Sequence, residues 1–416
     1  MLNETESDDA VDSNSDSQVE FLSGLVQSPS HTESPDDVEV ASQLVDEKMQ
    51  ELGFGVERVV VPDGTRAAHR IYSSPATSEG DKCLALVGHV DTVYPRHWNL
   101  RMDGGGRMFG PGVMDMKGGL SVIVYGLMAL KASHPDEFER LKVRIIMNTD
   151  EEKGSRTSRH IFSEQSEKIS GALVFENGRD RDEVVVARKG TAPFEIVAEV
   201  PEGFPQHAGG KHAEGSSALE ALVLAGLKVA SMTDYDRGLT FNIVIRPGDN
   251  ENSNMTRNVL PGRASFAVDC RYTSPGDANE AVELLRQSIA NWDLPGLGDM
   301  HPKLIERVKR ARIDVIYEGE GIGQGRPPMP QQPNMDLCER YSRHARECDL
   351  ASGPAPVQGG GSDANFLAEH GVPVIDGLGP FGKNAHATTY EDEWIELENL
   401  VRKTKALARF LLEESQ

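Results

Sequence analysis

A chain of 416 residues is too long for one ordinary hydrophobic core, so two domains are expected. Its 66 acidic against 43 basic residues give a net charge of −23, which argues against nucleic acid or an anionic membrane as partner, and no run approaches the length of a membrane span. The four cysteines (Cys83, Cys270, Cys338, Cys348) have no metal-like spacing and argue against a disulfide framework, while the N-terminus has no basic region or apolar segment and reads as cytoplasmic rather than secretory.

Residues 1–16 are polar and acidic and are expected to be disordered. Residues 36–52 space their apolar side chains as a helix does, with acids near the start. Residues 82–90 (KCLALVGHV), 141–150 (LKVRIIMNTD) and 171–176 (GALVFE) are short runs rich in Val, Ile and Leu, the pattern of buried parallel strands. Between the first two, residues 118–133 are apolar nearly all round and predict a helix buried against the sheet. From residue 192 the pattern changes. Residues 192–200 alternate as a half-exposed strand; 217–232 read as a helix, 240–246 and 262–272 as strands, 277–291 as a helix and 313–317 as a strand. That order, β-α-β-β-α-β, is ferredoxin-like. A helix at 334–348, a Gly-rich loop at 359–363, a strand within 371–379 and a helix at 397–413 return to the first type. The expected fold is α/β: a first domain with a mostly parallel sheet, residues 17–188 and 326–416, interrupted by a smaller α+β, ferredoxin-like domain at 189–325.

Each strand-like run of the first domain ends on, or leads toward, acids or a histidine. The first delivers His89 and Asp91, the second Asp150, Glu151 and Glu152, the third Glu176, and the last runs toward His386. Ligand sites of open α/β sheets lie at the carboxyl ends of strands, so these groups gather where a divalent metal could be held. Asp115 sits in GPGVMDMKGG, whose glycines permit a sharp turn. Two adjacent carboxylates, Glu151 and Glu152, repel unless a cation lies between them; one can ligate while the other handles protons. A lone histidine at a strand end is more often a polar cap, and a Glu-Glu pair is more often solvated. Here those ordinary readings would have to hold several times on one sheet edge.

GHVDTV, GPGVMDMKGG, NTDEEKGS, LVFENG, QHAGG, NVLP with VDCRY, GGGSDAN and the late His386 resemble the dizinc carboxypeptidase and acetylornithine deacetylase family of metallopeptidases, the bacterial glutamate carboxypeptidase type most closely. The resemblance spans nearly the whole chain and implies two Zn²⁺ per chain. His89 and Glu176 would hold one, Glu152 and His386 the other, with Asp115 bridging and the peptide bond after it cis. It implies Glu151 as general acid/base toward a metal-bridged water, and Asp91 as the residue orienting His89. A lid histidine matching His207 would assist the neighbouring subunit of a homodimer, although the family's usual serine before it is Gln206 here. Arg271, Arg326 and Asn258 match substrate-binding positions, and the backbone N–H groups of Gly360, Gly361 and Ser362 could add an anion nest. The expected substrate is a small peptide or N-acyl amino acid, cleaved to release a C-terminal residue, glutamate first. The alternative is an N-acyl-amino-acid deacylase of the acetylornithine or succinyl-diaminopimelate type.

Overall fold

The computed structural model describes residues 4–95, 99–204, 206–245, 257–317, 325–387 and 393–416. They form two compact units, one from residues 1–188 with 329–416 and the other from residues 189–328.

The first unit is built on a six-stranded sheet in the order Gly55–Val59, His69–Ser73, Val143–Asn148, Cys83–His89, Ile169–Val174, Val374–Ile375. Cys83–His89 pairs in parallel with both neighbours, and Val374–Ile375 is parallel to Ile169–Val174; the first two strands are antiparallel additions. Every residue of Cys83–His89 and of Val143–Asn148 is buried, as a run apolar on both faces requires. The helix Gly118–Ser133 lies in the main core with Met128 and its last turn partly open. It belongs to Val113–Ser133, which, against the expectation that no run approaches a membrane span, is the single segment among the described residues long and apolar enough to cross one; 89% of its most apolar 18-residue stretch is buried inside the protein.

Two features of this unit depart from the sequence reading. Residues 1–16 do not all lack structure: Glu4–Ser13 is a helix packed on the unit. Composition alone misses it because its acids have fixed partners, Asp8 on Arg409 at 2.6 Å and Asp12 on Lys405 at 2.7 Å, while Val11 is buried against Ala129 and Ala408. Burying a valine is worth about 1.5–3 kcal/mol and an exposed ion pair about 0–1 kcal/mol, so Val11 carries more of the docking than the Asp12–Lys405 pair, while the bidentate Asp8–Arg409 pair is mostly shielded from solvent. The second departure is a small antiparallel sheet, Gly382–Lys383, Trp394–Glu396, Arg107–Phe109, Arg101–Met102. Its strands are two or three residues long, too short to show a period.

The second unit has the expected order of strands and principal helices, with one further short helix at Pro302–Val308. Its sheet is antiparallel throughout, in the order Arg312–Tyr317, Gly190–Glu199, Arg263–Tyr272, Thr240–Val244, the ferredoxin-like arrangement with helices Ala218–Ser231 and Pro275–Ala290 packed into its own core. Arg246, expected at the end of the second strand-like run of this unit, lies outside the described residues. The boundary also falls after Pro328 rather than before Arg326. The Arg326 N–H donates to Thr191 Oγ1 at 2.9 Å and its carbonyl accepts the Thr191 N–H at 2.8 Å, which ties it to the second unit.

Candidate metal centre

The register of the parallel strands sets the site. His89 stands opposite Asn148, and Val87 opposite Val174, so the chain leaves three strands at one edge and presents His89, the Glu151–Glu152 pair and Glu176 together. Asp91 is fully buried and organises two of these segments. One of its oxygens accepts the Glu151 N–H at 3.2 Å, and the other accepts the Glu152 N–H at 3.3 Å and the Thr32 hydroxyl at 2.8 Å. His89 Nδ1 lies 3.0 Å from the Asp91 carbonyl and 3.4 Å from its carboxylate. Both contacts favour a proton on Nδ1, which leaves the Nε2 lone pair facing the site. Asp150 caps the same turn from below, accepting from the Thr157 N–H and hydroxyl and the Ser158 hydroxyl.

Asp115 arrives from a loop before the buried helix. Gly112 adopts φ 72, and a Cβ there would fall 2.5 Å from Thr92 Cγ2. At Gly119 a Cβ would meet the Phe175 carbonyl at 2.0 Å, so glycine lets the helix start against the strand end that carries Glu176. The Asp115–Met116 peptide bond is cis. The two carboxylate oxygens of Asp115 divide between two imidazoles: Oδ1 is 3.4 Å from His89 Nε2 and Oδ2 is 3.1 Å from His386 Nε2. His386 Nε2 is also 3.1 Å from Glu152 Oε2, and His89 Nε2 is 3.8 Å from Glu176 Oε1.

The electrostatics are those of crowded acids. Burial and the Asp115 charge push Glu152 up to about 8, and burial pushes Glu176 up to about 8 against the pull of His89. Hydrogen bonds to Asp115 and Glu152 raise His386 to about 11. Burial lowers His89, but Asp115, Asp91 and Glu176 outweigh it and leave the imidazole well above its ordinary value. Burial would raise Asp115, and the two imidazoles instead bring it well below the carboxylate range.

The donor set fits divalent metal. Donor atoms of His89, Asp115 and Glu152 lie within 4.8 Å of one another, as do those of His89, Glu151 and Glu176. His89 Nε2 and Glu152 Oε1 are shut from solvent without a hydrogen-bond partner, which is costly for groups with nothing to bind. Glu151 stands close enough to His89 and Glu176 to share their cluster.

The other sequence-derived residues fall in separate places. His207 and Asn258 lie on adjoining segments of the second unit: His207 bridges to Val259, and the Ala208 N–H donates to the Asn258 carbonyl at 2.8 Å. Arg271, near the end of a central strand of that unit, pairs with Asp269 at 3.0 Å. In the first unit, the Gly360 carbonyl accepts from Arg188 at 3.0 Å. Ser362 does not fit the expected nest, because its N–H already donates to Asn365 Oδ1 at 2.9 Å and its hydroxyl to Asp376.

Two residues passed over in the sequence belong to this region. Glu393, fully buried, accepts the N–H groups of Gly112, Met114 and Asp115. Nothing in DEWIEL distinguishes it from a surface acid. Arg179, three positions after Glu176, is half-buried, and its Nε is shut from solvent without a hydrogen bond. Burial and Arg188 lower its pKa, opposed by Asp376, Glu176 and Asp115.

A family model described as peptidase family M20/M25/M40 matches residues 85–413, a span that contains every group of the cluster. The chain is 27% identical over 405 residues to carboxypeptidase G2 of Pseudomonas sp. (strain RS-16), covering 95% of this chain and 88% of that one. It is 24% identical over 382 residues to the succinyl-diaminopimelate desuccinylase of Colwellia psychrerythraea, covering 86% and 87%. The solved structure of aminopeptidase PepT from Bacillus cereus ATCC 10987 shares the fold, with a TM-score of 0.74 at 20% identity over 97% of this chain and 99% of that one. With the match running from the strand of His89 into the C-terminal helix, the chain belongs to peptidase family M20/M25/M40 and is a metallopeptidase-type hydrolase of that family.

Proposed function

We propose that this protein is a two-metal exopeptidase that hydrolyses an amide bond to release a C-terminal amino acid, glutamate first, from a peptidyl or N-acyl group. The observation that carries the reading is the Asp115 carboxylate, with one oxygen toward His89 and the other toward His386. His89 and Glu176 would hold one Zn²⁺, Glu152 and His386 the other, and Asp115 both. Such ions supply Lewis-acid polarisation of the scissile carbonyl and make water acidic enough to attack near neutral pH.

The chain's own groups do the rest. Glu151 takes the proton of the attacking water and delivers it to the leaving nitrogen. Asp91 holds the Glu151–Glu152 turn by its N–H groups and keeps His89 in one tautomer. His207 Nδ1 accepts the N–H groups of Gly209 and Gly210, each at 3.1 Å, which favours the proton on Nε2. That Nε2–H is a ready donor for the oxyanion of a partner subunit's substrate. Arg271, Arg326, Asn258, Gly360 and Gly361 are the candidates for gripping substrate, and Arg179 adds a cation beside Glu176. Guanidinium suits a carboxylate because its donors form a fork.

A homodimer through the second unit goes with this reading. Leu219, Val223 and Leu227 are 39%, 54% and 49% exposed at four-residue spacing on one helix, and Thr240–Val244 is the edge strand of its sheet with Ile243 and Val244 exposed. An exposed apolar stripe beside an open edge is a pairing surface. The acidic charge and the absence of cysteine pairing support a cytoplasmic protein acting on small molecules.

The likeness to carboxypeptidase G2 favours release of a C-terminal residue, and that to succinyl-diaminopimelate desuccinylases supports the second reading, an N-acyl-amino-acid deacylase. Zinc-loaded protein assayed on N-acyl-glutamates, dipeptides ending in glutamate, N-acetylornithine and N-succinyl-diaminopimelate separates them. A kcat/KM highest on the glutamate compounds is expected. Turnover confined to the last two substrates would replace the carboxypeptidase reading with the deacylase.

A further inference from the structure

Glu393 lies far from Asp115 in the chain and against it in space. Its Oε1 accepts the N–H groups of Met114 at 2.8 Å and Asp115 at 3.0 Å, and its Oε2 accepts that of Gly112 at 3.1 Å. Its backbone carbonyl takes a fourth N–H, from Gly110, at 3.2 Å. One residue thus satisfies the amides of a tight loop that presents Asp115. The side chain is wholly buried, and Tyr94 and Lys117 are the polar groups beside it.

The position of Glu393 in the small sheet extends this role. It immediately precedes Trp394–Glu396, which pairs on one side with Arg107–Phe109, the strand leading to Asp115, and on the other with Gly382–Lys383, the strand leading to His386. The two segments that bring Asp115 Oδ2 within 3.1 Å of His386 Nε2 are therefore both registered on the strand that Glu393 begins.

We infer that Glu393 is a positioning residue that fixes the Asp115 carboxylate relative to His386, and so sets the affinity of the metal pocket formed by His386, Glu152 and Asp115. The inference rests on the two-metal reading above. Groups that orient ligands typically cost about 10–100-fold in metal affinity when removed. Three buried N–H groups losing their acceptor would also let the loop relax, since a buried donor without a partner is unfavourable.

The test uses the full chain, stripped of metal and titrated with Zn²⁺ against a chromophoric chelator, with wild type, Glu393→Ala and Glu393→Gln in parallel. Wild type should bind two ions in two steps. Glu393→Ala should weaken one step about 10–100-fold and leave the other within about threefold. Glu393→Gln, whose amide oxygen can still accept from Met114 and Asp115, should recover most of the loss. That rescue, with Co²⁺ absorption returning toward wild type, separates positioning from a general loss of structure. If Glu393→Ala does not fold, Glu393→Gln alone must still show an intermediate weakening of one step. Unchanged two-step binding in the variants would overturn the role of Glu393 while leaving the paired centre intact. Wild type binding a single ion would overturn both.

Discussion

His386 meets Asp115 Oδ2 at 3.1 Å from a backbone held at φ 59, in the left-handed region that non-glycine residues seldom occupy. The same Nε2 reaches Glu152 at 3.1 Å. Without metal, one imidazolium proton serves two buried carboxylates. Protons on Glu152, Glu176 and His386 therefore offset part of the crowded negative charge, with Glu152 and Glu176 raised to about 8 and His386 to about 11.

A pH dependence of defined sign follows for metal-free protein. Glu152 and Glu176 have folded values of about 8 against an ordinary 4.5, and His386 about 11 against 6.5. All three bind protons more tightly when folded. Their contribution to stability is complete below the unfolded values and is lost as pH rises through the folded ones. The thermal midpoint of the metal-free protein should fall between about pH 6 and 9. Zinc binding must expel these protons, so proton release should be measurable by titration in two buffers of different ionisation enthalpy, and affinity should drop as pH is lowered. A metal-free midpoint that climbs over this interval would contradict the proton-held cluster.

Glu151 and Glu152 are neighbours with different surroundings. Glu152 is 4% exposed at its side chain and meets His386, and one of its oxygens has no hydrogen bond. Glu151→Gln should keep two metals and substrate affinity but lower kcat by about 10²–10⁴-fold through lost proton transfer. Glu152→Gln should instead reduce metal content. Metal analysis and steady-state kinetics on both variants check this, and the opposite pattern would mean that ligand and base are exchanged.

Much of this arrangement is legible in the chain because strand ends are. Apolar runs identify Cys83–His89, Val143–Asn148 and Ile169–Val174, and the residues that follow them are functional candidates by position alone. The buried helix Gly118–Ser133 matches its sequence span because its apolar character is continuous. Glu393 is a different case. Its role depends on a small sheet with two- and three-residue strands, and no local pattern encodes pairing at that range. Ser362 illustrates the converse: a Gly-rich stretch suggests open N–H groups, but Asn365, three residues on, takes the one at Ser362. The helix at Glu4–Ser13 was hidden because acidic composition says nothing about Arg409 and Lys405 waiting at the other end of the chain.

Arg179 provides a test of substrate charge. Its guanidinium forms no hydrogen bond among the described residues, and the carboxylates that act on it include Glu176 and Asp115, which metals would occupy, and Asp376, which already pairs with Arg188 at 2.7 Å. An anion from the substrate would supply the missing partner. Arg179→Gln should raise KM for a substrate with a free C-terminal carboxylate by about 10–100-fold, the size of a lost charged hydrogen bond, and change kcat less. The same substrate with a C-terminal carboxamide should show little difference between wild type and variant. An equal change on both substrates would assign Arg179 to structure instead.

The last prediction concerns assembly and catalysis shared between subunits. The apolar stripe Leu219, Val223 and Leu227 should be covered in solution, so a Val223→Glu and Leu227→Glu double variant should sediment as a monomer where wild type is a dimer. His207 is exposed, and its Nδ1 is engaged by two backbone N–H groups, so the ring is oriented before any substrate arrives. His207→Ala should leave zinc content unchanged and lower kcat more than it raises KM, because an Nε2–H donor acts on charge that develops in the transition state. Mixing His207→Ala chains with Glu151→Gln chains supplies the decisive comparison. Each homodimer lacks one group in every site, whereas a mixed dimer has one site with Glu151 from one chain and His207 from the other. Partial recovery of activity, approaching half of wild type per mixed dimer, is expected if the donor acts across the interface. Verified mixed dimers with no recovery, or a fully active monomer, would place the donor within its own chain or remove it from the reaction.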